Sequence, residues 1–181
     1  LLSVLQFVHS HNVIHRDIKP ENIIRRETDK KLVLVDFGTS NIIKQVQRNT
    51  ITVTFTDSTE YCAPEQSIGK SKLASELYSL GVICLHLLTN KNPFDLYNLI
   101  EMEWVWRDSL NGNLVSDKLG KVLDGLVEPK LKQRYQNIKD VLADLQPSIS
   151  TIKQNPLSAK KSISTNIRSP HPSVFPPQCK T

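Results

Sequence analysis

Three cysteines in 181 residues, Cys62, Cys84 and Cys179, are too scattered for a disulfide framework, and no pair has metal-ligand spacing. Their odd number and spread point to a reduced, cytoplasmic setting. No apolar run approaches the roughly 20 residues that a membrane-spanning helix needs. The most apolar one, Leu80 to Leu88, is far shorter. No secretory or transit signal is visible, and the sequence opens on Leu1 with Met102 as its only methionine, so a piece of a longer product or a mis-started reading frame is expected. Acidic residues are missing from Pro147 onward, while Lys153, Lys160, Lys161, Arg168 and Lys180 fall there. Taking those five from the 23 lysines and arginines leaves 18 basic against 18 acidic residues in 1–146. The net charge of +5 therefore sits in the tail, and a basic globular face for nucleic acid is not expected.

What is present divides at the same point. Residues 1–146 are long enough for one domain with a sizeable core. Residues 147–181 hold six of the ten prolines among many serines and threonines, the composition of a disordered tail or linker. Leu1, Leu2, Leu5 and Val8 recur at helical spacing. Ile23-Ile24 and Lys31 to Val35 are β-rich runs around a polar stretch, which predicts a small hairpin. Residues 39–60 are rich in hydroxyls and read as a long loop, either functional or disordered. Helices are predicted over Leu73–Leu88, ended by Thr89-Asn90 before Pro93, and over Leu96–Trp106, Leu114–Leu126 and Ile138–Leu145. In the second of these, Leu99, Met102, Val105 and Trp106 share a side, and together with Trp104 they read as core or docking surface. Cys62 reads as a small buried apolar residue.

The densest chemistry is His15-Arg16-Asp17-Ile18-Lys19-Pro20-Glu21-Asn22. A carboxylate, an ammonium and a carboxamide within six residues suit a site that grips phosphates and metal ions and orients a hydroxyl. This octet resembles the catalytic loop of protein kinases. Asp36-Phe37-Gly38 resembles their metal-binding triplet and Ala63-Pro64-Glu65 the close of their activation segment. Lys19, two residues after Asp17, is similar to the serine/threonine class. The segment from Ser75 to Gly81, Asn92-Pro93-Phe94 and the late Arg134-Tyr135 resemble bacterial eukaryotic-like kinases. The resemblance covers about Leu1 to Leu145, all of it the C-terminal lobe.

The resemblance implies a mainly α fold (of an α+β family) with a small β-hairpin at the catalytic loop. It also implies transfer of the ATP γ-phosphate to serine or threonine of proteins, with Mg²⁺ (or Mn²⁺) as the metal. Asp17 would orient the substrate hydroxyl and accept its proton, and Lys19 would offset charge on the transferring phosphate. Asn22 and Asp36 would hold the metal, a hard cation that prefers oxygen donors. His15, Phe37 and Gly38 would support the loop, and Glu65 would pair with Arg134. Arg16 would meet a phosphate on the activation segment, with Thr52 or Thr54 as the modified residue. Ser58 keeps a hydroxyl where the family has Thr.

Three departures accompany the resemblance. The Gly-rich loop, the Val-Ala-x-Lys strand and the partner Glu helix of the N-terminal lobe are not in these 181 residues, so they are expected elsewhere in the same full-length chain, and this piece alone should not turn over. Asp57 and Glu60 put two acids beside the expected substrate path. Glu76 stands where the family has Asp to brace the loop, and its extra methylene predicts a lost or relaxed contact. Two alternatives stay open: a truncated or degenerate lobe kept as an interaction module or non-functional fragment, and a small-molecule phosphotransferase.

Overall fold

The computed structural model describes residues 1–39, 41–42 and 59–146. The chain separates into a compact unit, Leu1–Pro147, and Ser148–Thr181. The latter lies outside the described residues, as do the expected tail and Thr52, Thr54, Asp57 and Ser58.

The first unit contains, among the described residues, five α-helices and three two-stranded antiparallel ladders. Helix α1 (Leu2–Ser10) buries Leu5 and Val8, one helical turn apart on the same face. Strand β1 (Val13–Ile14) leads into the octet and pairs with β4 (Asn41–Ile42). Strands β2 (Ile23–Arg25) and β3 (Leu32–Leu34) pair with Ile23 opposite Leu34 and Arg25 opposite Leu32. The short helix α2 (Pro64–Ser67) starts on a proline, whose missing N–H costs nothing at a helix N-terminus.

Helix α3 (Leu73–Thr89) is the axis of the unit. It is apolar around most of its circumference, and Leu77, Val82 and Leu85 are completely buried. It stops at Asn90, which takes the left-handed conformation (φ 52°) that closes many helices. Gly81 lets α4 (Asp117–Leu126) pack against it closely. A Cβ at Gly81 would lie 2.7 Å from Val127 Cγ1 and 2.8 Å from Leu126 Cβ. Helix α5 (Ile138–Leu145) begins at Asn137, whose side chain accepts from Asp140 N–H, and packs on α4 and α1.

Two predicted helices differ. No helix spans Leu96–Trp106. A 3₁₀ turn (Pro93–Leu96) runs into β5 (Tyr97–Asn98), which pairs with β6 (Glu103–Trp104). Asn98 is the reason. Its Oδ1 accepts from Ile100 N–H (3.0 Å) and Glu101 N–H (3.2 Å), a local turn that competes with helix hydrogen bonding. Met102 then takes φ 57°, outside the helical region. Of the four residues expected on one side, only Trp106 is buried, while Leu99, Met102 and Val105 are exposed. Helix α4 begins at Asp117 rather than Leu114, because Ser116 Oγ accepts from Leu119 N–H (3.2 Å) and sets the N-cap there. Leu114 is left 98% exposed.

Candidate active site

The octet is held from below by apolar burial and from the side by hydrogen bonds. Ile14 and Ile18 are buried and fix the backbone on either side of His15–Asp17. Pro20 starts a 3₁₀ turn, Pro20–Asn22, that swings Asn22 back toward Asp17. Asn22 Nδ2 donates to the Asp17 carbonyl (2.8 Å) and to Asp17 Oδ2 (2.9 Å). Lys19 Nζ lies 3.0 Å from the same Oδ2. These two side-chain contacts both fall on Oδ2 of a nearly buried carboxylate.

Glu76 carries the loop. His15 N–H and Arg16 N–H both donate to Glu76 Oε1, the second at 3.0 Å. Glu76 Oε2 accepts from His9 Nε2 at 2.6 Å, and the whole side chain is buried. Of the two outcomes expected for the extra methylene, the lost contact is not seen: Glu76 reaches both loop amides, and His9 on α1 holds its far oxygen. Gln66 Nε2 adds a bond to the Arg16 carbonyl (2.6 Å). These contacts hold Arg16 at φ 73°, a left-handed conformation that a non-glycine residue adopts only when its surroundings enforce it.

His15 is completely buried and links the loop to the following triplet. Its Nε2–H donates to the Val35 carbonyl (2.8 Å), while Nδ1 accepts from Asp17 N–H (3.3 Å). The His15 and Phe37 rings meet edge to face at 4.5 Å. Val35 N–H donates to the Asn22 carbonyl (2.9 Å), so the β2–β3 hairpin sets Asn22 opposite Val35, the residue before Asp36. Asp36 is exposed, at φ 61°, and its Oδ1 accepts from Gly38 N–H (3.2 Å).

The donor set fits a magnesium ion. Asn22 commits Nδ2 to Asp17, which leaves its Oδ1 as the oxygen that would meet the metal. Asp36 keeps Oδ2 beyond its bond to Gly38. Mg²⁺ is usually bound by one or two protein oxygens, with water and substrate phosphates completing six. Among the described residues no group of three His, Cys, Asp or Glu forms a self-sufficient metal cage.

The expected ion pair is present. Glu65 Oε1 meets Arg134 Nη1 at 2.6 Å and Glu65 Oε2 meets Nη2 at 3.1 Å. The fully buried guanidinium also donates to the carbonyls of Ala74, Glu128 and Pro129 and lies 4.7 Å over the Tyr78 ring. Burial alone would raise the Glu65 carboxyl, but Arg134 and the Ser75 hydroxyl (2.5 Å) outweigh it and hold it below the ordinary 4.5. A carboxylate with a depressed folded value stabilises the fold above the unfolded value and loses that contribution as pH falls through the folded one. Stability is thus expected to decline below about pH 4.5, and less steeply in Glu65→Gln; equal slopes in acid denaturation would contradict this.

The Cys62 thiol is pushed up to about 11, first by burial and then by the Glu65 and Asp17 carboxylates. At pH 8 only about one thiol in a thousand would be ionised. Cys62 is therefore expected to resist iodoacetamide in the folded protein and to label rapidly after denaturation, which peptide mass spectrometry reads directly.

Sequence reasoning missed His9, Gln66 and Ser75. His9 carried a signal, since it lies four residues after Leu5 on the inward face of α1. Gln66 and Ser75 are ordinary polar residues whose roles exist only once α2 and α3 are packed. Arg16 is brought to the site, but its buried Nε has no hydrogen-bond partner among the described residues.

With that geometry in place, the comparisons define the class. Residues 1–145 match the protein kinase domain family, and the chain belongs to it. It is 41% identical over 150 residues to serine/threonine-protein kinase F of Synechocystis sp., covering 80% of this chain and 29% of the relative. Serine/threonine-protein kinase B of the same organism is 37% identical over 154 residues (81% and 26%), and serine/threonine-protein kinase PknA of Nostoc sp. is 37% identical over 152 residues (81% and 26%). The chain spans under a third of the length of these relatives and represents part of a kinase domain.

Proposed function

We propose that this chain is the C-terminal lobe of a serine/threonine protein kinase and that its octet performs phosphoryl transfer to protein hydroxyls. The observation that carries the reading is Asp17, held by Asn22 and Lys19 on a loop that Glu76, Gln66 and His9 lock in place. Asp17 Oδ1 orients the acceptor hydroxyl in line with the phosphoryl group and takes its proton. Lys19, 3.0 Å from Asp17, sits where it neutralises charge spreading over the transferring oxygens. Asn22 and Asp36 hold Mg²⁺. ATP with its metal supplies the phosphoryl group and much of the charge neutralisation; the chain supplies position and fixed charge.

The nucleotide-gripping lobe is assigned to the rest of the same full-length protein, and the setting to the cytoplasm. Arg16 is assigned to a phosphate on the activation segment, because its buried Nε awaits an acceptor. Thr52 and Thr54 are the candidate sites. The degenerate-lobe alternative rests on Asp57 and the missing lobe as well as on Glu76; the contacts of Glu76 with both loop amides support the enzyme reading over it.

The test is phosphoamino-acid analysis of a protein substrate after incubation with the full-length chain, Mg²⁺ and labelled ATP. Label in phosphoserine and phosphothreonine is expected. Label in phosphotyrosine, or none in protein, would refute the reading.

A further inference from the structure

The β5–β6 hairpin and the residues beside it leave a run of apolar side chains exposed. Leu99 is 78% and Ile100 88% exposed, and Phe94, Met102 and Val105 are also exposed. Scattered exposed apolar residues are ordinary, but five within twelve positions form a concentration that soluble proteins usually reserve for interaction. The hairpin is not loosely attached. Leu96 and Trp106 on either side are completely buried, and Val105 N–H donates to the Leu96 carbonyl (2.8 Å). Trp104 packs edge to face against Tyr97 (5.2 Å) and Tyr78 (6.1 Å), and Tyr78 in turn carries Arg134 over its ring. The apolar tip thus stands on a stack that ends at the Glu65–Arg134 pair.

The charged side chains within 92–106 are all acidic, with Lys91 and Arg107 just outside the segment and Arg107 paired with Asp124. Asp95, Glu101 and Glu103 are exposed among the apolar residues, and no lysine or arginine occurs from 92 to 106. The face is also continuous with the closing end of the activation segment. The Pro93–Leu96 turn packs against the 3₁₀ turn Thr59–Tyr61, and Asn92 Nδ2 donates to Glu60 Oε2 (2.9 Å). Tyr61 OH is bonded to His86 Nδ1 at 2.6 Å, and burial with the nearby Glu60 and Glu21 carboxylates pushes its phenol up to about 12.

We infer that the hairpin is a docking surface for a basic and apolar segment of the protein substrate, set apart from the residue that receives phosphate. This rests on the phosphotransfer reading above. Leucine-like side chains of the substrate lie on Leu99, Ile100 and Met102, while its lysines or arginines meet Asp95, Glu101 and Glu103. Methionine at such a surface adapts to different partners. A second copy of the same acidic face would repel itself, and so would an anionic lipid surface. The occupant is therefore the oppositely charged peptide chain.

The test uses the full-length chain and two synthetic peptides with the same acceptor serine, one of them extended by a segment of alternating lysine and leucine. The extended peptide is expected to have the lower KM. The combined variant Leu99→Ser, Ile100→Ser, Met102→Gln is expected to raise that KM about fivefold to tenfold, with kcat and the short peptide unaffected. Glu101→Lys with Glu103→Lys is expected to do the same, and added salt to weaken the preference in the wild type. Equal KM for the two peptides in the wild type, an unchanged KM in both variants, or conversion of a dimer to a monomer by the triple variant would overturn the inference. If neither peptide is phosphorylated, the phosphotransfer reading fails. Fluorescence anisotropy of the labelled extended peptide on wild type and triple variant then decides docking by itself.

Discussion

Replacing Glu76 by alanine is expected to loosen the catalytic loop and destabilise the lobe by about 3–5 kcal/mol, since each buried N–H left without an acceptor costs roughly 1–3 kcal/mol. The orphaned groups are His15 N–H and Arg16 N–H, and His9 loses its partner as well. For a unit of this size, that corresponds to a melting temperature lower by roughly 10 °C. Activity should fall further than stability. Arg16 is held at φ 73° by these contacts, and a loop misplaced by about 1 Å can cost on the order of 10²-fold in rate. Glu76→Gln is the informative companion. Its carbonyl oxygen can still accept from both loop amides, so most of the stability and rate should survive. A melting temperature for Glu76→Ala within about 2 °C of wild type would show that the brace contributes under 1 kcal/mol.

The second large effect concerns Arg134. Arg134→Met removes a fully buried cation that meets the Glu65 carboxylate and three backbone carbonyls. The expected loss is about 3–5 kcal/mol, because an unpaired carboxylate and unsatisfied carbonyls remain in a dry setting. Adding Glu65→Gln should not cost more and should return part of the loss, since the stranded charge is then gone. Strictly additive losses in the double variant, read by chemical denaturation, would mean that the two residues act independently.

The local geometry of the octet was legible in the sequence because its contacts are short-range. Asp17, Lys19 and Asn22 meet through a short turn that Pro20 initiates, and six residues suffice to specify it. The hairpin that carries Asp36 was legible for the same reason. What was not legible depends on distances between elements far apart in the chain. Glu76 lies some sixty residues from the loop it braces, and sequence spacing alone cannot say how far α3 stands from that loop. His9 on α1 supplies the third bond, and α1 and α3 meet only in the folded unit.

The failed helix over 96–106 has a different cause. Its apolar spacing suits a helix, but Asn98 offers its own side chain to the following amides, and the aromatic and β-branched residues Tyr97, Trp104 and Val105 suit an extended chain. Local turn chemistry overrode periodicity, and the result is an exposed hairpin in place of a buried helix face. The late start of α4 at Asp117 follows the same rule, with Ser116 fixing the first turn.

The most direct measurement of the central claim is phosphate transfer from Mg²⁺-ATP to a serine-bearing protein by the full-length chain, with Asp17→Asn alongside. Asparagine can keep the turn and its neighbours in place but cannot take a proton from the acceptor hydroxyl. The account predicts a fall in kcat on the order of 10²–10⁴-fold with the melting temperature nearly unchanged. Equal rates in the two proteins would contradict it.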